Sequence, residues 1–212
     1  MPLNAKAPLI AVTMGDPAGI GPEVILKATA ALAKRRRAPR IAVIGDLGVL
    51  ERTARRLASV PAPRRWSIGE PIPSLHRGLA VLEASRLGAD APAPGHPNIA
   101  GGEASFVYVT TGIQMALRAE IGALVTAPIS KELWNRAGHR FPGHSELLAK
   151  RSHARIWRMM FAGERLRVAL VTVHMGLARV SRALTRDGVF QTISLMADHL
   201  RDHAGIARPR IA

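Results

Sequence analysis

Short runs of aliphatic and β-branched residues repeatedly give way, through turns rich in glycine and proline, to stretches whose apolar residues recur at helical spacing. LIAVTM (9–14) is followed by PEVILKATAALAK (22–34), where Val24, Ile25, Ala28, Ala31 and Leu32 mark one face of a helix. RIAVIGD (40–46) reads as a second buried strand and LGVLERTARRLA (47–58) as its helix, with Pro61 and Pro63 breaking the chain afterwards. LAVLEA (79–84) is a weaker strand, 90–102 a Pro/Gly loop, and a long helix follows with Phe106, Val109, Ile113 and Leu117 on one stripe. IGALVTAPIS (121–130) is a strand leaving through a proline, followed by a short helix (131–137) and a helix from about Ser145. RMMFAG (158–163) and LRVALVTVH (166–174) read as strands, and 188–203 as the last helix. Parallel strands cannot be joined by tight hairpins and need crossovers of this kind. The pattern therefore predicts an α/β protein on a largely parallel sheet, divided near Pro128 into parts covering 1–128 and 129–212.

In this architecture ligands gather beyond the carboxyl ends of the strands, where GDPAGIGPE (15–23) lies. It is not a Walker loop, since no Gly-Lys-Ser/Thr follows, and Gly19-Ile20-Gly21 runs into Pro22-Glu23-Val24 rather than completing G-x-G-x-x-G. Pro22 suits a first helical position, and the glycines let the backbone approach something closely, either a ligand or another part of the chain. Two more turns, APISK (127–131) and VTVHMG (172–177), follow strong strands. His174 closes an apolar run and is expected at a strand's carboxyl end. His144 stands in FPGHSE, a Pro/Gly loop opening a helix, where an imidazole and backbone N–H groups can hold an anion; Ser145 is an alternative N-cap there. His199 and His203 are four apart on a helix, a spacing zinc can use, but without the H-E-x-x-H glutamate and on a polar face.

Composition limits the rest. No cysteine is present, which removes disulfides, thiolate chemistry and Cys-ligated metals. The net charge of +15 invites nucleic acid. Yet the basic runs KRRR (34–37), RTARR (52–56) and RRW (64–66) are dispersed, and only four Phe, three Trp and one Tyr are available for stacking. A solvated arginine-rich surface is expected rather than a nucleic-acid site. The N-terminus lacks a signal-peptide pattern and no apolar run approaches the ~20 residues that span a bilayer, so a soluble cytoplasmic chain without membrane contact is expected.

Taken in order, VTMGDPAGIGPE, VTAPISKE, AGHRFPGHSELLA and LRVALVTVH resemble the PdxA family, the 4-hydroxythreonine-4-phosphate dehydrogenases of vitamin B6 biosynthesis. The likeness runs across essentially the whole chain. It implies a fold similar to isocitrate and isopropylmalate dehydrogenases: two α/β/α domains around a cleft, here incomplete, in a homodimer with the site at the dimer interface. It implies NAD(P)-dependent oxidation of 4-phosphooxy-L-threonine, with decarboxylation to 3-amino-2-oxopropyl phosphate. The family's substrate-binding His and Thr fall on His144 and Ser145, and the first of its three metal-binding histidines on His174, which implies a divalent cation (Zn, Mg or Co). Relatives continue through Asn-Pro-His and His-Asp-Gln motifs, so residues 1–212 alone are expected to lack dehydrogenase activity. The resemblance leaves open a sister dehydrogenase acting on 4-phospho-D-threonate, D-erythronate or a dihydrodiol acid, and a non-catalytic remnant.

Overall fold

The computed structural model describes residues 8–212; the sequence-based reading of the leader lies, over residues 1–7, outside them. Contacts divide the chain into two compact units meeting at Leu148/Ala149.

The first unit is built on a five-stranded, all-parallel sheet in the order β3-β4-β2-β1-β5. Its strands are β1 (Leu9–Thr13), β2 (Arg40–Asp46), β3 (Pro63–Arg65), β4 (Leu79–Ser85) and β5 (Ala123–Thr126). The three-residue β3 escapes a sequence reading because it begins at Pro63, a residue read as a break, and continues through two arginines with no apolar alternation. The helices are α1 (Gly21–Ala33), α2 (Leu47–Ala54), α3 (Ile99–Leu117), α4 (Lys131–Arg136) and the first half of α5 (His144–Arg151). From β1 the chain steps outward through α1 to β2 and through α2 to β3 and β4. It then returns through α3 to β5 on the other side of β1. Right-handed crossovers put α1 and α2 on one face of the sheet and α3 on the opposite face.

α3 starts three residues before the end of the predicted loop, because Asn98 caps it by accepting a hydrogen bond from Gly101 N at 2.8 Å. It is apolar on two sides. Ala104, Tyr108 and Met115 join the main core with Ile25, Leu26, Val43, Ile44 and Leu50. Phe106, Val109 and Ile113 form a second cluster with Trp134 of α4 and Leu147 of α5. Leu117, predicted on the same stripe, is exposed. That second cluster explains why the units part at Leu148 rather than near Pro128: residues 129–148 bury their apolar side chains against α3, behind the sheet that precedes them.

The second unit holds a short antiparallel hairpin, β6 (Met160–Ala162) and β7 (Arg167–Ala169), followed by α6 (Leu177–Ala183) and α7 (Arg186–Asp202). β7 is far shorter than the predicted 166–174. Among the described residues only β6 pairs with it, and beyond the hydrogen bond from Leu170 N to Met159 O at 2.9 Å no ladder continues through residues 171–174. Only Thr192 and Leu200 of this unit are buried.

Candidate functional site

The strand order reverses at β1. Its neighbours β2 and β5 are reached by crossovers running in opposite directions, which makes the β1/β5 boundary the switch point where open α/β sheets bind ligands. Two loops leave the sheet there and are tied together: Asp16 N donates to Pro128 O at 2.9 Å. A Cβ on Gly15, whose φ is +74°, would stand 2.3 Å from Pro128 O, and one on Gly21 would stand 2.2 Å from Met14 O. The closeness that these glycines permit is therefore between parts of the chain itself. They do not open a cradle for a dinucleotide's phosphates, and the described residues supply no other such loop at the switch point.

Between the loops sits Asp16, which sequence reasoning missed. Its side chain is 6% exposed, and Oδ1 accepts a hydrogen bond from Ala18 N at 2.9 Å. Burial pushes its carboxyl above the ordinary range, against the opposing effect of that hydrogen bond. The only sequence signal was an acid inside a turn whose other members are small or apolar. Alongside lies a buried relay. Tyr108 Oη and Ser85 Oγ are 2.6 Å apart, and Ser85 Oγ donates to Asp46 Oδ2 at 3.2 Å, so the phenol is the donor to the serine. Asp46 also accepts from Val49 N and Leu87 N at 2.9 and 2.8 Å, capping α2 and gripping the end of β4. Burial chiefly, with the Asp46 and Asp16 carboxylates adding to it against the Ser85 hydrogen bond, drives the Tyr108 phenol far up and keeps it neutral.

A carboxyl raised in the folded state contributes stability below the ordinary carboxylate range and loses it as pH rises through the raised value. Asp16→Asn keeps the acceptor for Ala18 N and removes the charge. It is expected to melt a few degrees above the wild type at pH 7, with the gap closing near pH 3. A lower melting temperature at pH 7 would show instead that the ionised carboxylate holds the turn together.

On the β5 side, Ser130 Oγ caps α4 by accepting from Leu133 N at 3.3 Å, and Lys131 is its first helical residue. Trp134 is fully buried, donates from Nε1 to Ser105 Oγ at 2.8 Å, and meets His144 edge-on with ring centroids 5.6 Å apart. His139 stacks on Phe106 at 3.6 Å and reaches Glu103 with its Nε2 at 2.6 Å. His144 opens α5. Its Nε2 is shut off from solvent without a hydrogen-bond partner among the described residues. Burial, and secondarily the Lys131 ammonium, lower its pKa, which favours the uncharged imidazole at neutral pH. Ser145 is half-buried and is the second residue of α5, inside the helix rather than its cap.

The structure brings His144 and Ser145 to one helix start. It gives His174 a different setting from the one predicted. Because β7 ends at Ala169, His174 is not at a strand's carboxyl end but in an exposed bend with φ +53°. His199 and His203 lie with rings 5.4 Å apart at the end of α7. No group of three or more His, Asp or Glu among the described residues is arranged to hold a metal ion. His174 can offer one ligand, whereas a catalytic divalent site ordinarily takes three protein ligands. The described residues therefore do not by themselves fit a metal, and no chemical step is routed through one. No described helix is long and apolar enough to cross a membrane.

Residues 37–212 match the family model described as pyridoxal phosphate biosynthetic protein PdxA. A 4-hydroxythreonine-4-phosphate dehydrogenase of Desulforapulum autotrophicum is 39% identical over 218 residues, covering 99% of this chain and 62% of the relative. Among solved structures, a 4-hydroxythreonine-4-phosphate dehydrogenase from Burkholderia phymatum superposes with a TM-score of 0.83 at 32% identity, covering 97% of this chain and 62% of the other. A terephthalate 1,2-cis-dihydrodiol dehydrogenase from Burkholderia xenovorans superposes with a TM-score of 0.64 at 25% identity, covering 96% of this chain and 60% of the other. The chain thus spans about 60% of the length of the relatives it matches.

Proposed function

The chain belongs to the PdxA family, and on that footing we propose that it forms part of a dehydrogenase oxidising 4-phosphooxy-L-threonine, with decarboxylation to 3-amino-2-oxopropyl phosphate, in vitamin B6 biosynthesis. The observation that carries this is the ordered likeness over almost the whole chain to dehydrogenases of that name, at 39% identity. NAD or NADP would accept the hydride and a divalent cation (Zn, Mg or Co) would complete the site. The described residues offer neither a glycine-rich cradle for a dinucleotide's phosphates at the switch point nor three metal ligands, so their own contribution lies elsewhere. His144, with its neutral imidazole, and Ser145, with its hydroxyl, would hold the substrate's anionic end at the start of α5. His174 would supply a single metal ligand. A homodimer with the site at its interface, in the cytoplasm, is the assembly this reading carries.

The dihydrodiol dehydrogenase likeness supports a second reading, a sister enzyme oxidising a cyclic diol acid. Its lower TM-score and identity, 0.64 and 25% against 0.83 and 32%, favour the first. The test joins this chain in frame to the part of the Desulforapulum relative that lies beyond the match. NAD(P)H formation from 4-phosphooxy-L-threonine is expected in the joined protein and not in the 212-residue chain alone. Turnover of the diol acid but not the phosphorylated substrate would favour the sister enzyme. Full activity of the 212-residue chain would show that the residues present already make a complete site.

A further inference from the structure

Lys131 has no role in any reading drawn from the sequence, yet its position is specific. It leaves the switch point on the turn after β5 and reaches towards the residue just before α5. Its Cε and Nζ lie 3.3 and 3.7 Å from where a Cβ on Gly143 would stand. A Cβ at that position would therefore touch the end of the lysine side chain. The neighbouring Glu132 is engaged by Arg136, and the Lys131 ammonium has no ion pair or hydrogen bond with a described residue. Its charge is felt at His144, whose pKa it helps to lower. The first N–H groups of α5, which follow directly on Gly143, have no intrahelical acceptors.

An exposed ammonium, a half-buried imidazole and the first amides of α5 thus lie beside one glycine. An ammonium, a helix start's N–H groups and an imidazole that can donate are together complementary to an oxyanion. One group opposes this. Glu146 Oε2 lies 3.6 Å from the same Cβ position, so its carboxylate stands beside the site.

We propose that Lys131 is an anion-holding residue of this site, its ammonium joining His144 and the α5 amides around a phosphate-class dianion. The proposal rests on the reading that the substrate is phosphorylated and extends it to a residue which that reading did not include.

The test uses inorganic phosphate as the probe on the 212-residue chain, with chloride at matched ionic strength as control. It follows the melting temperature and the His144 ring resonances by NMR. Phosphate is expected to raise the wild-type melting temperature and to shift the His144 pKa upward. Lys131→Met should weaken phosphate binding at least about tenfold, Lys131→Arg should retain most of it, and Glu146→Gln should tighten it. Because Lys131 is exposed, both lysine variants are expected to fold. Two results overturn the proposal: phosphate binding as tight in Lys131→Met as in the wild type, or no phosphate effect on the wild-type chain. Turnover in the joined protein separates the two ideas. If Lys131→Met turns over normally while His144→Ala does not, the lysine assignment fails and the dehydrogenase reading stands. If Lys131-dependent phosphate binding persists while the joined protein oxidises nothing, the reverse holds.

Discussion

Gly15→Ala is expected to lower the stability of the chain by about 3–5 kcal/mol, or to prevent folding altogether. Two costs combine. The φ of +74° disfavours any residue carrying a Cβ, at about 1–2 kcal/mol. The new methyl would also stand 2.3 Å from Pro128 O, a backbone atom that cannot rotate aside. Relief requires the two switch-point loops to separate, breaking the hydrogen bond from Asp16 N to Pro128 O. Gly95 is the internal control. Its φ is +79°, nearly the same, but a Cβ there meets nothing within 4 Å. Gly95→Ala should therefore cost only the backbone share, about 1–2 kcal/mol. Chemical denaturation of both variants decides the matter. Equal losses would show that the contact between the loops is not what Gly15 secures.

His144→Ala, made in the joined protein, is expected to lower kcat/KM by about 10–100-fold through loss of a hydrogen bond to a charged group. The melting temperature at pH 7 should move by no more than about 3 °C, because the ring is only half-buried and touches Trp134 edge-on. The ring also predicts a pH dependence. Its pKa is lowered from 6.5, so its contribution to stability is present above that value and is lost as pH falls through the lowered value. The melting temperature of the wild type should therefore fall relative to His144→Gln on acidification below about pH 6.5. A large stability loss with unchanged kinetics would assign the histidine to packing instead.

Both predictions turn on contacts between segments distant in sequence, which marks the limit of what the sequence could disclose. The alternation of β1, α1, β2 and α2 was legible because each element carries its own periodicity. Crossover handedness then restricts how such elements can be arranged. His144 was legible as a helix-start residue because Pro142-Gly143 punctuates the chain just before it. β3 was not legible, since a proline and two arginines carry no period. The early start of α3 depended on Asn98 capping Gly101, where the surrounding prolines and glycines read as loop.

The candidate site divides the same way. The sequence by itself determined that a Gly/Pro turn joins a strand to a helix near residue 15, and that imidazole and hydroxyl groups stand together at 144–145. Only the tertiary structure decided what Gly15 approaches, because Pro128 comes within reach of it solely through the pairing of β5 with β1. The same pairing buries Asp16, and the packing of α4 and α5 on α3 brings Lys131 to His144. His174 shows the converse. An apolar run alone predicted a long strand ending at that histidine, but a strand persists only where a neighbour completes its hydrogen bonds. The ladder between β6 and β7 ends at Met160 opposite Ala169, with one further hydrogen bond from Leu170 N to Met159 O.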